Sequence, residues 1–347
     1  MSWSLSKMPE VSVVMAVHDG GPYIRQAVES ILAQSFRDFE FLIIDDASKD
    51  SGSNFLSGLT DERVRLIAHS HQAGLSRSLN EGIQEAKGKY LARMDHDDIS
   101  LSDRLQKQVN FLDAHQDVDV LGTWARTLGL AREQTWRYPI VDEDIRSEFA
   151  FNSSLVHSSV MLRTATLERL QLRYDDSTLR AQDYELWTRE ESQIRFANLG
   201  SVLIRYRVHA DQVGSRYAVE QQAAAEKIRL REIERLGVTP TTDEFNLHNR
   251  ISRWEHPEGR AELLALQRWF LKLRAANQTS QTYSMDAFDR TLERRWWAAC
   301  KANIWLGLEA RQIYRDFPFR GAAQRGFLEK AQLLAKAILR ELGWGRR

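Results

Sequence analysis

Acidic side chains collect at three points of the sequence, each where an apolar run ends. These points are His18-Asp19, Asp45-Asp46 and Asp95-His96-Asp97-Asp98. In the last of them, Asp95 and Asp97 are one residue apart, so both carboxylates can reach a common ligand. A hard cation such as Mg²⁺ or Mn²⁺ binds one or two carboxylates together with phosphate oxygens and water. The spacing favours a divalent metal site, and the alternative is that one acid, such as Asp98, caps the following helix.

The apolar runs that precede these acids have the length and composition of buried strands. The predicted strands are Val11–Val17, Phe39–Ile44, Val64–Ile67, Tyr90–Met94 and Val118–Leu121. Helical patterns lie between them, at Leu75–Lys87 and Ser102–His115 among others. This alternation predicts an α/β fold with a mostly parallel sheet and helices on both faces. Ligands bind beyond the carboxyl ends of such strands, where gathered carboxylates repel one another unless a cation or a donor-rich ligand lies among them.

From about Ala218 the pattern changes to long helices. The predicted helices are Val219–Leu236, Glu258–Ala276, Met285–Ala310 and Ala322–Leu342. We therefore predict two domains, a catalytic domain at 1–217 and a helical accessory domain at 218–347, with the boundary region near 215–245, around Gly237–Asp243. The last helix has an apolar face flanked by Lys and Arg, which suits either a membrane surface or packing on the protein itself.

Composition excludes several classes of protein. Forty-eight Lys and Arg residues balance 48 Asp and Glu residues, which argues against nucleic-acid binding through bulk charge. The single cysteine, Cys300, excludes a disulfide framework and a cysteine-based zinc site. The polar segment Met1–Glu10 does not resemble a signal peptide, and no apolar run approaches the roughly 20 residues of a membrane span. We expect a cytoplasmic protein, in contact with the inner face of the membrane at most.

Five motifs follow one another in a fixed order: Val11–Val17, Gln34–Asp50, Gly74–Asn80, Gly88–Asp98 and Arg104–Gln108. In this order they resemble family 2 of the glycosyltransferases, and the resemblance extends over roughly residues 10–215. It implies a GT-A fold and the transfer of a sugar from a nucleoside diphosphate sugar to an acceptor hydroxyl, with inversion at the anomeric carbon. It also implies Mg²⁺ or Mn²⁺ as cofactor.

The resemblance assigns roles in nucleotide and metal binding. The implied nucleotide-binding residues are Ala16, His18, Asp46, Arg77 and Asp95. Asp46 would bond the base or its ribose, Arg77 would approach the pyrophosphate, and Asp95 would face the ribose side of the donor. Asp97 would bind the metal and bridge it to the diphosphate. For Asp46 the alternative is a turn-forming residue in Asp-Ala-Ser.

Further residues of the resemblance concern the acceptor and the proton. Asp183 matches the catalytic base of the family, whereas the acid that usually precedes it is replaced by Gln182. Asp183 begins a predicted helix, whose N-terminus favours an ionised carboxylate, and a plain N-cap is the alternative. His209 would complete the metal shell or touch the phosphate, or else lie in the core. His157 could orient a hydroxyl of the acceptor or simply pack.

These residues lead to one function with two competitors. The leading hypothesis is an inverting glycosyltransferase that uses a UDP-sugar or a dTDP-sugar and modifies a glycan or a lipid-linked acceptor in bacterial surface polysaccharide synthesis. A nucleotidyltransferase is the first alternative, although the loop Asp19–Pro22 lacks the basic residue such enzymes usually carry. The second is a catalytically inactive GT-A module that serves as a scaffold, which only Gln182 favours.

Overall fold

The computed structural model describes residues 8–318 except 179, 211 and 213–215, together with residues 322 and 335. In this part of the chain nine strands form one sheet, in the order β3-β2-β1-β4-β8-β6-β9-β5 with β7 paired to β6. The strands are β1 (Val11–Val17), β2 (Phe39–Asp45), β3 (Val64–Ala68), β4 (Tyr90–Arg93), β5 (Ile99–Ser100), β6 (Val120–Leu128), β7 (Thr135–Trp136), β8 (Met161–Arg163) and β9 (Phe196–Arg207).

The α-helices of the first half alternate with these strands. They are α1 (Ile24–Leu32), α2 (Ser51–Ser57), α3 (Leu75–Glu85), α4 (Arg104–Ala114), α5 (Asp142–Glu148), α6 (Thr164–Arg169) and α7 (Gln182–Arg189). The helices that follow are α8 (Ala218–Arg235), α9 (Thr242–Ser252), α10 (Gly259–Ser280), α11 (Met285–Ala302) and α12 (Leu308–Arg315). The predicted α/β fold, with a helical region after it, is confirmed.

Strands β3, β2, β1 and β4 are parallel and form the half of the sheet that the sequence predicted best. Every residue of β1 is buried, as expected for a strand covered on both faces. The other half is mixed, because β8 is antiparallel to β4 and to β6, whereas β9 is parallel to β6. The carboxyl ends of β1, β2 and β4 therefore lie at one edge of the sheet.

Helices cover both faces of this parallel half. One face carries Val13 and Met15 of β1, in a buried cluster that also holds Ile24 of α1 and Leu105 of α4. On the other face α3 lies so close to the sheet that a β-carbon at Gly82 would come within 2.3 Å of a methyl carbon of Val14. A glycine is therefore required at this point of α3.

The chain divides into two compact units. Of the described residues, the first unit takes in 8–145 and 153–225, and the second takes in 146–152 and 226–318. The short segment 146–152, which the sequence analysis placed in the first domain, supplies Ala150 and Phe151 to the helical core of the second unit. The other apolar members of that core include Trp269 and Trp296, both fully buried.

One prediction for the helical region is wrong. Met285–Ala310 is not one helix, because α11 ends at Ala302 and Gly307, at φ +63°, separates it from α12. The two units divide after Ala225, within the predicted boundary range of 215–245, and α9 begins inside Gly237–Asp243, where Thr241 and Glu244 form a reciprocal capping box. The predicted helix Ala322–Leu342 lies outside the described residues, apart from positions 322 and 335. Among the helices that the structure describes, none is long and apolar enough to cross a membrane.

Candidate active site

The acidic cluster after β4 is the centre of the site. Asp95, Asp97 and Asp98 each offer a carboxylate oxygen, and these oxygens all lie within 4.8 Å of one another. Asp98 is buried, whereas Asp95 and Asp97 are half-buried. Burial, together with the negative charges of Asp95 and Asp97, raises the pKa of Asp98 well above its ordinary value. Three hard oxygen donors with such excess negative charge fit a divalent cation such as Mg²⁺ or Mn²⁺.

Asp98 does not cap a helix, as the alternative interpretation held. Helix α4 begins six residues later, at Arg104, and Asp103 occupies its N-cap position. The carboxylate of Asp98 instead accepts hydrogen bonds from the Ser158 hydroxyl at 2.5 Å and from the backbone N–H of Arg207 at 2.8 Å. It therefore joins the acidic loop to the end of β9.

The same junction brings His209 to the acids. Ile99 of β5 pairs with Arg205 of β9 in antiparallel register, so the residues before β5 lie beside those that end β9. As a result, Nε2 of His209 lies 3.1 Å from Oδ2 of Asp97. The structure thus brings together the two residues that the resemblance assigned to the metal.

Asp46 follows β2 and is only 3% exposed. Its carboxylate accepts hydrogen bonds from the backbone N–H groups of Ala73 at 2.7 Å and Gly74 at 2.8 Å, and from the His69 imidazole at 2.8 Å. Burial alone would raise the pKa of Asp46, but these donors outweigh it and hold the pKa below its ordinary value. The turn-forming alternative is not supported, because the donors come from another loop. Asp45 is the residue whose carboxylate accepts a local bond, from the Ser48 N–H at 3.0 Å.

The other residues assigned to the nucleotide differ in accessibility. His18 is exposed and its Nδ1 lies 2.7 Å from the carbonyl oxygen of Asp46, so the loops after β1 and β2 are joined. Ala16 lies inside β1 and is 3% exposed, which leaves little surface for a ligand. Arg77 on α3 has a side chain 67% exposed, and its Nε donates to Asp176 at 2.8 Å. Arg77 and His18 are thus open to solvent, whereas Ala16 is not.

Asp183 lies in the first turn of α7 and is half-buried. The N-cap position belongs to Ala181, so Asp183 is not an N-cap. Burial raises the pKa of Asp183, although the Tyr184 N–H and the charge of Arg93 both act to lower it. The backbone N–H at the helix N-terminus favours the ionised form, as expected, but the effect of burial is larger. A carboxylate with a raised pKa is a stronger proton acceptor than an ordinary one, as long as it remains ionised at the working pH.

Of the two neighbours of Asp183 considered as acids or bases, one is paired with an arginine and the other is an uncharged amide. Glu185 pairs with Arg189 at 2.7 Å, which occupies its carboxylate. Gln182, the residue found in place of the family's acid, is 8% exposed and begins α7. A neutral amide at this position adds no negative charge beside Asp183.

His157 is held by an aromatic partner. Its Nε2 lies 2.7 Å from the Tyr174 hydroxyl. Burial and then the charge of Arg93 lower the pKa of His157 to about 3, so the imidazole is neutral at physiological pH. Asn80 of α3 fixes the backbone of Tyr174 from the other side, through two hydrogen bonds of 2.9 Å. These contacts favour packing over a free imidazole that would orient a hydroxyl.

Two buried arginines lie beside the acidic cluster, and the sequence motifs assigned a role to neither. Arg93 ends β4, is 2% exposed, and its Nη1 lies 2.5 Å from Oδ1 of Asp95. Arg104 is fully buried and donates to the carbonyl oxygen of Arg93 at 2.7 Å and to Gln108 at 2.9 Å. Burial, together with the charge of Arg93, lowers the pKa of Arg104 to about 9. A single charged residue inside an otherwise apolar strand was the signal that could have revealed Arg93.

Comparison with known proteins defines the class of this fold and site. The model of the family described as "Glycosyl transferase family 2" matches residues 12–170, a range that contains the acidic cluster and ends before α7. The protein belongs to glycosyltransferase family 2, and it is a glycosyltransferase with a GT-A fold.

Particular relatives extend the match beyond the family model. The putative glycosyltransferase EpsE of Bacillus subtilis is 32% identical over 210 residues, which cover 58% of this chain and 74% of EpsE. The O-antigen biosynthesis glycosyltransferase WbnJ of Escherichia coli is 31% identical over 217 residues, 59% of this chain and 82% of WbnJ. An uncharacterised glycosyltransferase of Haemophilus influenzae is 27% identical over 237 residues, 65% of this chain and 73% of that protein.

Among solved structures, S. aureus TarS 1-349 in complex with UDP-GlcNAc resembles this protein with a TM-score of 0.55. The alignment covers 88% of this chain and 89% of the TarS chain, at 16% sequence identity. This similarity is one of fold.

Proposed function

We propose that the protein transfers a sugar from a UDP-sugar or a dTDP-sugar to a hydroxyl of a glycan or a lipid-linked acceptor, with inversion at the anomeric carbon. The observation that carries the proposal is the acidic cluster at the carboxyl edge of the parallel strands, with His209 beside Asp97. A nucleoside diphosphate is the ligand class that fits such a cluster. Its negative charge needs a divalent cation to neutralise it, and the acidic side chains can bind that cation.

Asp97 and His209 are the residues we assign to Mg²⁺ or Mn²⁺, and Asp95 and Asp98 offer further oxygen atoms beside them. When bound, the cation stabilises the charge that grows on the leaving diphosphate. The histidine pairs with Asp97 at 3.1 Å, and both side chains are less than one-fifth exposed. Their positions depend on the β5–β9 pairing and on the two hydrogen bonds that Asp98 accepts.

The proposed reaction is a single displacement. The acceptor oxygen forms a bond to the anomeric carbon while the bond between that carbon and the diphosphate oxygen breaks. The proton of the acceptor hydroxyl passes to the carboxylate of Asp183. The raised pKa of Asp183 favours this step, because burial makes its ionised form a better acceptor.

Nucleotide contacts are assigned to residues at the same edge. We assign the base to Asp46 and His18, with Ala16 beneath it, and the diphosphate side to Arg77. Asp95, whose carboxylate is paired with the buried Arg93 at 2.5 Å, is assigned to the ribose side of the donor. Gln182 is assigned to the acceptor side, whereas the contact of His157 with the Tyr174 hydroxyl favours a packing role for that histidine.

The biological setting that we propose is synthesis of a bacterial surface polysaccharide at the cytoplasmic face of the membrane. WbnJ, which is 31% identical, is described as an O-antigen biosynthesis enzyme, and this supports the proposal. We further propose that the helical domain 218–347 binds the acceptor or the membrane surface. Flotation with liposomes, for the full chain and for a chain that ends at residue 321, tests whether this domain binds the membrane surface. Equal flotation of the two chains would contradict membrane binding through residues 322–347.

The experiment for the main proposal measures release of nucleoside diphosphate from UDP-sugars and dTDP-sugars, with Mn²⁺ and with EDTA. A prior thermal-shift panel of nucleoside diphosphates selects the base, because a ligand that binds only the folded state raises the melting temperature. Metal-dependent release supports the proposal. Binding without release would support the inactive scaffold instead, and stabilisation by nucleoside triphosphates alone would support a nucleotidyltransferase.

A further inference from the structure

We propose that His69, held in place by Glu81, is a positioning residue that fixes the Asp46 carboxylate for recognition of a uracil or thymine base. This inference rests on the proposed function, in which Asp46 contacts the base of the donor. It concerns residues that neither the motifs nor the resemblance assigned.

His69 connects two elements across Asp46. It follows β3 directly, and its Nδ1 lies 2.8 Å from Oδ1 of Asp46. Its Nε2 lies 2.5 Å from Oε2 of Glu81, on α3. The imidazole is 15% exposed and the Asp46 side chain 4%, whereas the Glu81 side chain is 39% exposed. The three side chains therefore form a chain of contacts that runs from the surface to the buried carboxylate.

The acceptor sites of Asp46 can be counted. An ionised carboxylate has about four lone-pair sites, two on each oxygen. Oδ1 accepts from His69 and from the Ala73 N–H, and Oδ2 accepts from the Gly74 N–H at 2.8 Å. Among the described residues, one acceptor site on Oδ2 is left. Three donors hold the carboxylate, so this site has a fixed direction.

A single fixed acceptor discriminates among nucleobases. Uracil and thymine present one ring N–H between two carbonyl groups, which matches one acceptor. Cytosine has an unprotonated ring nitrogen at that position, and two acceptors that face each other repel. Guanine presents a ring N–H beside an amino group, so one of its two donors would remain unpaired at a cost in affinity. The count therefore favours uracil or thymine.

His69 can donate a hydrogen bond to both Asp46 and Glu81 only when both of its ring nitrogens carry a proton. Burial alone would lower the pKa of His69, but the carboxylates of Asp46 and Glu81 outweigh burial and raise it. These two are the ionisable groups that face it, one at the end of β2 and the other on α3. Below the raised pKa both ring nitrogens donate. Above it one carboxylate faces a nitrogen lone pair, so Asp46 loses either a donor or its fixed orientation.

The test compares the affinities of UDP and CDP by calorimetry, with Mn²⁺ present, between pH 6.5 and 8.5, and for the wild type it also measures dTDP and GDP. The variants are His69→Gln and Glu81→Gln, with His71→Gln as the matched control, because His71 is an exposed imidazole in the same loop. The ratio of the two affinities cancels the titration of the diphosphate, which both ligands share. Melting temperatures establish that each variant is folded.

At pH 6.5 we expect the UDP-to-CDP affinity ratio to fall about tenfold in His69→Gln, the size of one charge-assisted hydrogen bond, and to stay unchanged in His71→Gln. In the wild type the ratio should fall as the pH rises, whereas in His69→Gln it should be flat. Glu81→Gln removes one of the two carboxylates that raise the pKa of His69. In this variant the UDP-to-CDP affinity ratio should therefore begin to fall at a lower pH than in the wild type. If His69→Gln does not fold, this shift in Glu81→Gln decides the matter.

An unchanged UDP-to-CDP ratio in folded His69→Gln, or an unshifted profile in Glu81→Gln, would overturn the inference and leave the proposed function standing. A wild type that prefers GDP would overturn the choice of base but not the transfer of a sugar from a nucleotide. A wild type that binds none of UDP, dTDP and GDP would overturn both the inference and the proposed function.

Discussion

Replacement of Asp183 by asparagine separates proton transfer from the structural role of the first turn of α7. Asparagine is nearly isosteric with aspartate and keeps one acceptor oxygen, but it cannot act as a base. The N-cap position belongs to Ala181, without a side-chain capping bond, so the substitution removes no cap. A lost cap would in any case cost only about 1 kcal/mol of stability.

The expected effects on stability and rate point in opposite directions. The pKa of Asp183 is raised in the folded state, so its ionised form opposes folding at every pH above its ordinary pKa of 3.8. Asp183→Asn should therefore melt at or slightly above the wild-type temperature at pH 7. Loss of a general base costs about 10²–10⁴ in rate, or roughly 3–5 kcal/mol in the barrier. The variant should lose at least about a hundredfold in transfer.

The assay follows nucleoside diphosphate release and transfer to acceptor, alongside calorimetric affinities for the donor and Mn²⁺. Those affinities should not change, because the base acts on the acceptor. Glu185→Gln is the control: it removes an acid from the same helix whose carboxylate is already paired with Arg189, and its rate should fall only mildly. Near-normal transfer by a folded Asp183→Asn would refute the assignment of Asp183 as the base.

Three further changes test other parts of the molecule. Asp97→Asn should abolish the gain in nucleotide affinity that Mn²⁺ provides, together with nearly all turnover; full activity of this variant in EDTA would contradict the metal assignment. Ser158→Ala removes the hydroxyl that donates to the buried Asp98 at 2.5 Å, and should cost about 1–3 kcal/mol in urea unfolding. In the second unit, two arginines hold the pKa of Glu148 at about 2, below its ordinary value of 4.5. The ionised carboxylate therefore stabilises the folded state above pH 4.5, and this stabilisation is lost as the pH falls through 2. Glu148→Gln should therefore lower the unfolding free energy at pH 6 by on the order of 3 kcal/mol and flatten its fall below pH 4.5; an unchanged acid profile would contradict this.

The parallel half of the sheet could be predicted because its signals are local. Val11–Val17 is apolar on both faces, and the structure has β1 with those same bounds. The strand Phe39–Ile44 and the helix Leu75–Lys87 differ from β2 and α3 by one or two residues at their ends. Each element can be recognised within a dozen residues from the period of its hydrophobic residues and from the residues at its ends, such as the acids that follow the strands.

The helical region was predicted less well, for two different reasons. Thr241 and Glu244 have the spacing of a capping box in the sequence, but the predicted helices do not include the helix α9 that this box begins. The break at Gly307 was equally visible as a glycine, but glycine inside a helical pattern does not always end a helix. The packing of 146–152 in the second unit had no local signal, because it depends on partners such as Arg295, more than a hundred residues away.

The sequence by itself determined that acids would collect at one edge of a parallel sheet, because strand direction and strand ends are local properties. Tertiary structure decided which partners meet those acids. His209 reaches Asp97 across 112 residues only because β5 pairs with β9. The donors of Asp46 come from the loop before α3, and the pKa of Asp183 rises because burial outweighs the helix N-terminus. Burial and long-range pairing are properties of the whole packed chain, so no window of the sequence contains them.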